Sequence, residues 1–212
     1  MKRLSRLLIL ATLPCIVPAH ATDLQTGDII FVADSHSDFS QAITSATATD
    51  SQSVQFSHVG IINVVGPDQI TVIEASPQRG VCEVPLPTFL NECPTADNHP
   101  AVVVKRLDIP FDAMAVINTA KSFIGQPYDW RFLPDNGAMY CSELIYESYL
   151  TNDGQHIFPA TPMNFRNPDG TMPAFWTDLF SRLGCDPPQG VPGTNPNGIA
   201  NDPRLTVAAT KF

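Results

Sequence analysis

Apolar and polar positions along the chain switch between a strand period and a helix period. Ile29-Ile30-Phe31-Val32 is an unbroken apolar run after the turn residues Thr26-Gly27-Asp28, which predicts a first buried strand. Residues 38–48 carry Phe39, Ile43 and Ala46 at helical spacing and predict a short helix. Ser57 to Val65 and Ile70 to Ala75 read as two strands joined at Gly66-Pro67-Asp68, and so as a hairpin. Val81 to Val84 predicts a fourth strand, Pro87 to Asn91 a short helix, and Ala101 to Leu107 another strand. A helical period then runs from Phe111 to Ile124 and stops at Gly125, with Pro127 just beyond. Further helices are predicted over Cys141–Leu150 and Phe175–Leu183. From about residue 186 the chain is rich in Pro and Gly without a clear period, which predicts an extended C-terminal arm. Strand, helix, several strands and then helices describe a single α+β domain.

The N-terminus has a different pattern. Lys2, Arg3 and Arg6 precede Leu7 to Val17, an apolar stretch shorter than the ~20 residues a membrane span needs. Ala19-His20-Ala21 follows as an A-x-A cleavage site, so residues 1–21 read as a signal peptide and 22–212 as the mature, periplasmic or secreted domain. Lipid attachment at Cys15 is the rival reading, and Pro14 fits such a site poorly. No later apolar stretch can cross a bilayer, so no integral membrane segment is expected after processing. Processing also changes the charge: the 212-residue precursor carries −9, and loss of three basic residues and no acids leaves −12. Such a chain is a poor match for nucleic acid, whose phosphates demand clustered Lys and Arg. Of the 5 cysteines, Cys15 departs with the leader. Cys82, Cys93, Cys141 and Cys185 remain, enough for two bridges or for one bridge and a working thiol.

Cys141 is the thiol placed for chemistry. It follows a Gly-, Pro- and Asn-rich loop and opens an amphipathic helix, whose N-terminal end favours a thiolate. Its base should be a histidine held by a third polar group. Of His36, His58, His99 and His156, only His58 begins a regular apolar strand. A hairpin loop at 65–67 places His58 opposite Glu74, the single acid interrupting Ile70-Thr71-Val72-Ile73. A carboxylate there would fix the imidazole tautomer and leave the other nitrogen for Cys141. The inference depends on register, because a slip of one residue puts the two side chains on opposite faces. His, Glu and Cys are also zinc ligand types, but no C-x-x-C or H-E-x-x-H spacing accompanies them. The expectation is no metal and no cofactor.

These residues fall within a set of motifs that resembles a known family. Thr26-Gly27-Asp28-Ile29-Ile30-Phe31, Ser57-His58-Val59-Gly60, Ile73-Glu74-Ala75, Gly125-Gln126-Pro127-Tyr128-Asp129 and Tyr140-Cys141-Ser142-Glu143 occur in the order seen in the YiiX/YaeF-like amidases. That group belongs to the permuted papain-fold cysteine hydrolases of the NlpC-type superfamily. The closing segment near Asn195-Pro196-Asn197 and Asp202-Pro203-Arg204-Leu205 is similar too. Residues 76–100, with Cys82 and Cys93, depart from the pattern. The resemblance implies a circularly permuted papain-like fold, an antiparallel sheet packed against helices, with the His strand before the Cys helix. It implies Cys141 as nucleophile, His58 as general base and acid, and Glu74 as the orienting residue. Tyr128 is implied beside the site, lining the pocket or supporting the oxyanion, and Tyr140 either packs or meets substrate. A free Cys141 leaves a Cys82–Cys93 bridge as the preferred pairing, with Cys141–Cys185 and a bridge from Cys185 to Cys82 or Cys93 as open alternatives. The expected activity is hydrolysis of an amide, a cell-wall peptide derived from peptidoglycan or a related amide. The alternatives are a lipid acyltransferase or thioesterase on the same site, and a non-catalytic binding protein with Cys141 in a disulfide.

Overall fold

The structure, a computed structural model, describes residues 24–34, 36–48 and 53–212. The expected signal peptide and Cys15 lie outside these residues. The chain forms β1 (Ile29–Val32), α1 (Asp38–Thr47), β2 (His58–Gly66), β3 (Gln69–Ser76), β4 (Gly80–Pro85), α2 (Leu86–Glu92), and the short strands β5 (Thr95–Ala96) and β6 (His99–Pro100). It continues through β7 (Val102–Leu107), α3 (Ala113–Ser122), α4 (Cys141–Ser148), β8 (Thr161–Pro162), α5 (Ala174–Leu183), β9 (Pro192–Gly193), α6 (Pro196–Ala200) and β10 (Leu205–Ala209). Six strands make one antiparallel sheet in the order β10-β7-β1-β2-β3-β4.

Both faces of this sheet are covered, which explains why β1 is apolar at every position. Ile29 and Phe31 point into the larger core with Val59, Ile61, Ile73, Leu144, Ile145 and Tyr149. Ile30 and Val32 point the other way, towards Ile62, Val72, Leu86 and Phe89. Helix α4 packs on the larger-core face with Leu144, Ile145 and Tyr149 fully buried, and burial of each such side chain contributes about 1.5–3 kcal/mol. The Tyr149 hydroxyl donates to the Gly27 carbonyl at 2.8 Å, tying α4 to the turn before β1. Gly27 needs its left-handed φ of 86°, and a side chain there would meet the Phe111 ring. Asp28 secures the same turn by accepting from Gln25 N–H and from Arg106 through both oxygens.

The region after residue 186 is more ordered than its composition suggests. It folds back as α6 and then adds β10 to the sheet edge beside β7. Asn197, fully buried, accepts from Phe56 N–H and donates to Phe56 C=O, so one side chain replaces a strand partner for residue 56. Pro and Gly set the turns of this segment; pairing with β7, about a hundred residues upstream, makes its strand. The expected arm is therefore part of the domain.

Candidate active site

The hairpin puts a histidine and a carboxylate on one face, though not by the expected register. The turn is the two-residue Pro67-Asp68, and a bulge lies between Val64 and Gly66. Glu74 therefore pairs with Gly60, and Ile73 with Ile61. His58 is displaced from Glu74 by two positions, not zero. A shift of two keeps the face, so the side chains meet diagonally: His58 Nε2 lies 2.6 Å from Glu74 Oε2. Gly60 is what leaves room, since a Cβ there would lie 2.6 Å from Val72 Cγ1 and 3.6 Å from Glu74 Cβ. The His58 ring also stacks on Phe89 of α2, at 6.1 Å between centroids.

Helix α4 brings the thiol from the opposite side. Cys141 is its first residue, 3% exposed, and its thiol lies near enough to His58 to raise the imidazole's pKa. With Nε2 held by Glu74, Nδ1 is the ring nitrogen left for sulfur. The fold thus brings Cys141 near His58 and pairs His58 with Glu74. His36, His99 and His156 bond elsewhere, to Asp34, the Phe212 carbonyl and the Tyr146 carbonyl.

Charge is concentrated on the His58 side. Burial works against a charged His58, but hydrogen bonds to Cys141 and Glu74 and the Glu74 charge outweigh it, pushing its pKa up to about 10. Burial likewise opposes the Glu74 carboxylate, and His58 and Arg79 overcome it, holding its pKa below the usual value. Arg79 was not foreseen. Its guanidinium donates to Glu74 Oε1 at 2.8 Å and to both oxygens of Glu92 at 3.0 and 2.7 Å. The only sequence signal was a basic residue in the tight turn just after the Glu74 strand.

The expected Cys82–Cys93 bridge is not formed, and Cys82, Cys93, Cys141 and Cys185 are all free. The short helix expected at Pro87–Asn91 forms as α2 between the two cysteines, and Cys93 Sγ donates to the Phe89 carbonyl one turn back. Burial and the neighbouring Glu74 and Glu92 push the Cys93 thiol up to about 12, and burial also raises Cys82. Neither is activated. The free Cys141 also removes the disulfide on which a non-catalytic reading depended.

Two hollows meet at this site. A cleft of about 520 Å³ runs along the His58 side, lined by Asp34, Ser57, Glu74, Arg79 and Glu92. A smaller cavity of about 50 Å³ adjoins Cys141 and is lined by Phe132, Tyr140, Met163, Phe165 and Trp176. Tyr128, 7% exposed, lines both. The Tyr140 hydroxyl accepts from Thr194 N–H at 3.2 Å and lies 3.8 Å from Met163 Sδ, so it braces the C-terminal segment as well as lining the cavity. Phe132 holds a φ of 55°, a costly conformation for an aromatic residue, and its ring packs on those of Tyr128, Tyr140, Phe165 and Trp176. Sequence reasoning missed Phe132, Met163, Phe165 and Trp176. Glu143 of α4 accepts from Tyr140 N–H at 3.3 Å, and burial beside other acids pushes its pKa up to about 8. Among the described residues, no group of three or more His, Cys, Asp or Glu side chains is placed to hold a metal ion, and no helix is long and apolar enough to cross a membrane.

Comparison with known proteins bears on the family and the fold. Residues 23–208 match the family of permuted papain-like amidases, YaeF/YiiX, C92 family. The chain is 30% identical over 211 residues to the uncharacterized protein YiiX of Escherichia coli (strain K12), covering 98% of this chain and 96% of that protein. It also superposes on the crystal structure of metalloprotein YiiX from Escherichia coli O157:H7. That match has a TM-score of 0.67 and 26% identity, covering 90% of this chain and 99% of that one.

Proposed function

The chain belongs to the permuted papain-like amidases, and on that footing we propose an exported cysteine hydrolase in which Cys141, His58 and Glu74 cleave an amide by acyl transfer. The observation that carries the reading is the 2.6 Å contact of His58 Nε2 with Glu74, on an imidazole whose pKa the nearby Cys141 thiol also raises. The Cys141 thiolate attacks the carbonyl carbon. The oxyanion forms beside the first N–H groups of α4, which helix geometry leaves without intrahelical acceptors. His58, held as imidazolium by its raised pKa, gives its Nδ1 proton to the leaving amine as the C–N bond breaks. A thioester remains. Water then loses a proton to His58, attacks the thioester, and frees the acid and the thiol. Glu74 fixes the ring and balances its charge, while Tyr128 and Tyr140 line the site.

We place the reaction outside the cytoplasm, after removal of residues 1–21, on a peptide amide such as one derived from peptidoglycan. The lipid enzyme is the second reading, favoured by the apolar cavity at Cys141; its volume of about 50 Å³ is small for a long acyl chain. Incubation with muropeptides and with phospholipids separates the two: new amine supports the amidase, and free fatty acid supports the lipid enzyme. Iodoacetamide should alkylate Cys141 in the native protein, and Cys141→Ala should abolish turnover with little loss of stability. Wild-type turnover by Cys141→Ala would sink the proposed nucleophile.

A further inference from the structure

The two hollows differ in a way that bears on which part of a substrate each receives. The proton donor to the leaving amine is His58, so the leaving group must lie on the His58 side, in the larger polar cleft. The group attached to the attacked carbonyl then lies on the other side of Cys141, against the small aromatic-walled cavity. That cavity contains a further unexplained group. Ser142, 1% exposed, lines it, and its buried Oγ has no hydrogen-bond partner among the described residues. An unsatisfied hydroxyl in an apolar enclosure is costly unless something arrives to pair with it. The enclosure is also closely built: a Cβ at Gly193 would lie 2.5 Å from Met163 Sδ and 2.9 Å from the Tyr140 hydroxyl. Its volume of about 50 Å³ has room for roughly three to five water-sized groups at ~10–15 Å³ each.

We propose that this cavity is the acyl-side specificity subsite. It receives the small aliphatic side chain of an N-acylated amino acid whose carbonyl Cys141 attacks, and Ser142 Oγ accepts a hydrogen bond from that residue's amide N–H. The proposal rests on the hydrolase reading above. It names the substrate class as a peptide-like amide with a residue of alanine-to-valine size on the acyl side and a bulkier polar leaving group. The bond changes are those of the acyl transfer already given. Met163, which comes from the segment beside β8, is the size gauge.

The test uses aminomethylcoumarin amides of N-acetyl-glycine, -alanine, -valine and -phenylalanine, with isovaleryl amide as the analogue of the valine compound that lacks the amide N–H. With wild-type protein, kcat/KM should rise about fourfold for each methylene buried from glycine to valine and fall at phenylalanine. Met163→Ala should move the optimum to the larger side chain, while Met163→Trp should make glycine the best substrate. Ser142→Ala should narrow the gap between the N-acetyl-valine and isovaleryl amides and leave the size order intact. Iodoacetamide labelling of Cys141 in each variant reports an intact site. If labelling is normal but all acyl groups react alike, or if Met163→Ala leaves the size order unchanged, the subsite is wrong while the hydrolase stands. If wild-type Cys141 is not alkylated at all, the hydrolase reading falls and takes the subsite with it.

Discussion

The two walls that meet at Cys141 are built by different means. The His58 wall is a polar network on sheet and turn, running His58–Glu74–Arg79–Glu92, with each link at hydrogen-bond distance. The opposite wall is aromatic and apolar, assembled from Phe132, Tyr140, Met163, Phe165 and Trp176, and among the described residues it holds two buried hydroxyls without a partner, those of Ser142 and Thr194. The first wall places protons and charge; the second offers shape. Electrostatic networks act through every member, so one deletion propagates to the thiol. A shaped apolar wall acts through volume, so its changes alter preference more than rate.

The sharpest way to break this contrast is at its charged centre. Glu74→Gln keeps the shape and removes the charge that balances the imidazolium. Its kcat/KM should fall ~10²–10⁴-fold, the range for losing a positioned acid–base partner. The alkaline limb of the pH profile should also move down from about 10 towards the ordinary imidazole range. The same variant tests linkage. A histidine with a raised folded pKa contributes stability that is complete below 6.5 and is lost as pH climbs through about 10, so Glu74→Gln should flatten that decline in a melting series. An unchanged alkaline limb would show that Glu74 does not set the charge of His58.

One link further out, the effect should shrink. Arg79 is 36% exposed, so water screens part of its pull on Glu74. Arg79→Met should cost about tenfold in kcat/KM, ~1.4 kcal/mol of transition-state stabilisation. Because Arg79 helps hold Glu74 below its usual pKa, the acid limb should move to higher pH, and Arg79→Lys should restore part of both effects. A rate loss with a fixed acid limb would make Arg79 a structural residue only.

The smallest expected effect lies on the helix side. Glu143 has a folded pKa of about 8 against 4.5 for the free side chain, so the folded state holds its proton more tightly than the unfolded one. Stability therefore falls as pH rises from 4.5 to 8. Glu143→Gln should match wild type near pH 4.5 and melt a few degrees higher at pH 9, on a scale of ~2–4 °C per kcal/mol. Equal melting temperatures at pH 9 would contradict the burial cost assigned to Glu143.

The same division explains what could be read from the residues alone. Cys141, His58 and Glu74 were legible because each is announced locally, by a helix start, a strand start and a lone acid in an apolar run. The diagonal pairing was not, because a bulge between Val64 and Gly66 leaves no mark in an apolar–polar count. The free Cys82 and Cys93 were missed because pairing followed from the number of cysteines, whereas Cys82 sits on β4 beside Glu74 and Cys93 closes α2 with its thiol on the Phe89 carbonyl. Apart from Tyr140, the apolar wall was illegible for a deeper reason: residues 132, 163, 165 and 176 share no period and converge on Tyr140 only through tertiary packing. Nor could the C-terminal composition show that α6 and β10 would complete the domain.

The bulged turn at Pro67-Asp68 has a consequence for how this protein can change over generations. Adding or deleting one residue there, if the strands slide to absorb it, turns Glu74 away from His58 and inverts every buried position of β3. Two residues at a time restore the parity and merely lengthen or shorten the diagonal between the two side chains. Insertions and deletions in this turn are thus filtered by odd or even number before any question of size arises, so divergent sequences that keep the His–Glu pair should differ here by even steps or carry a compensating bulge.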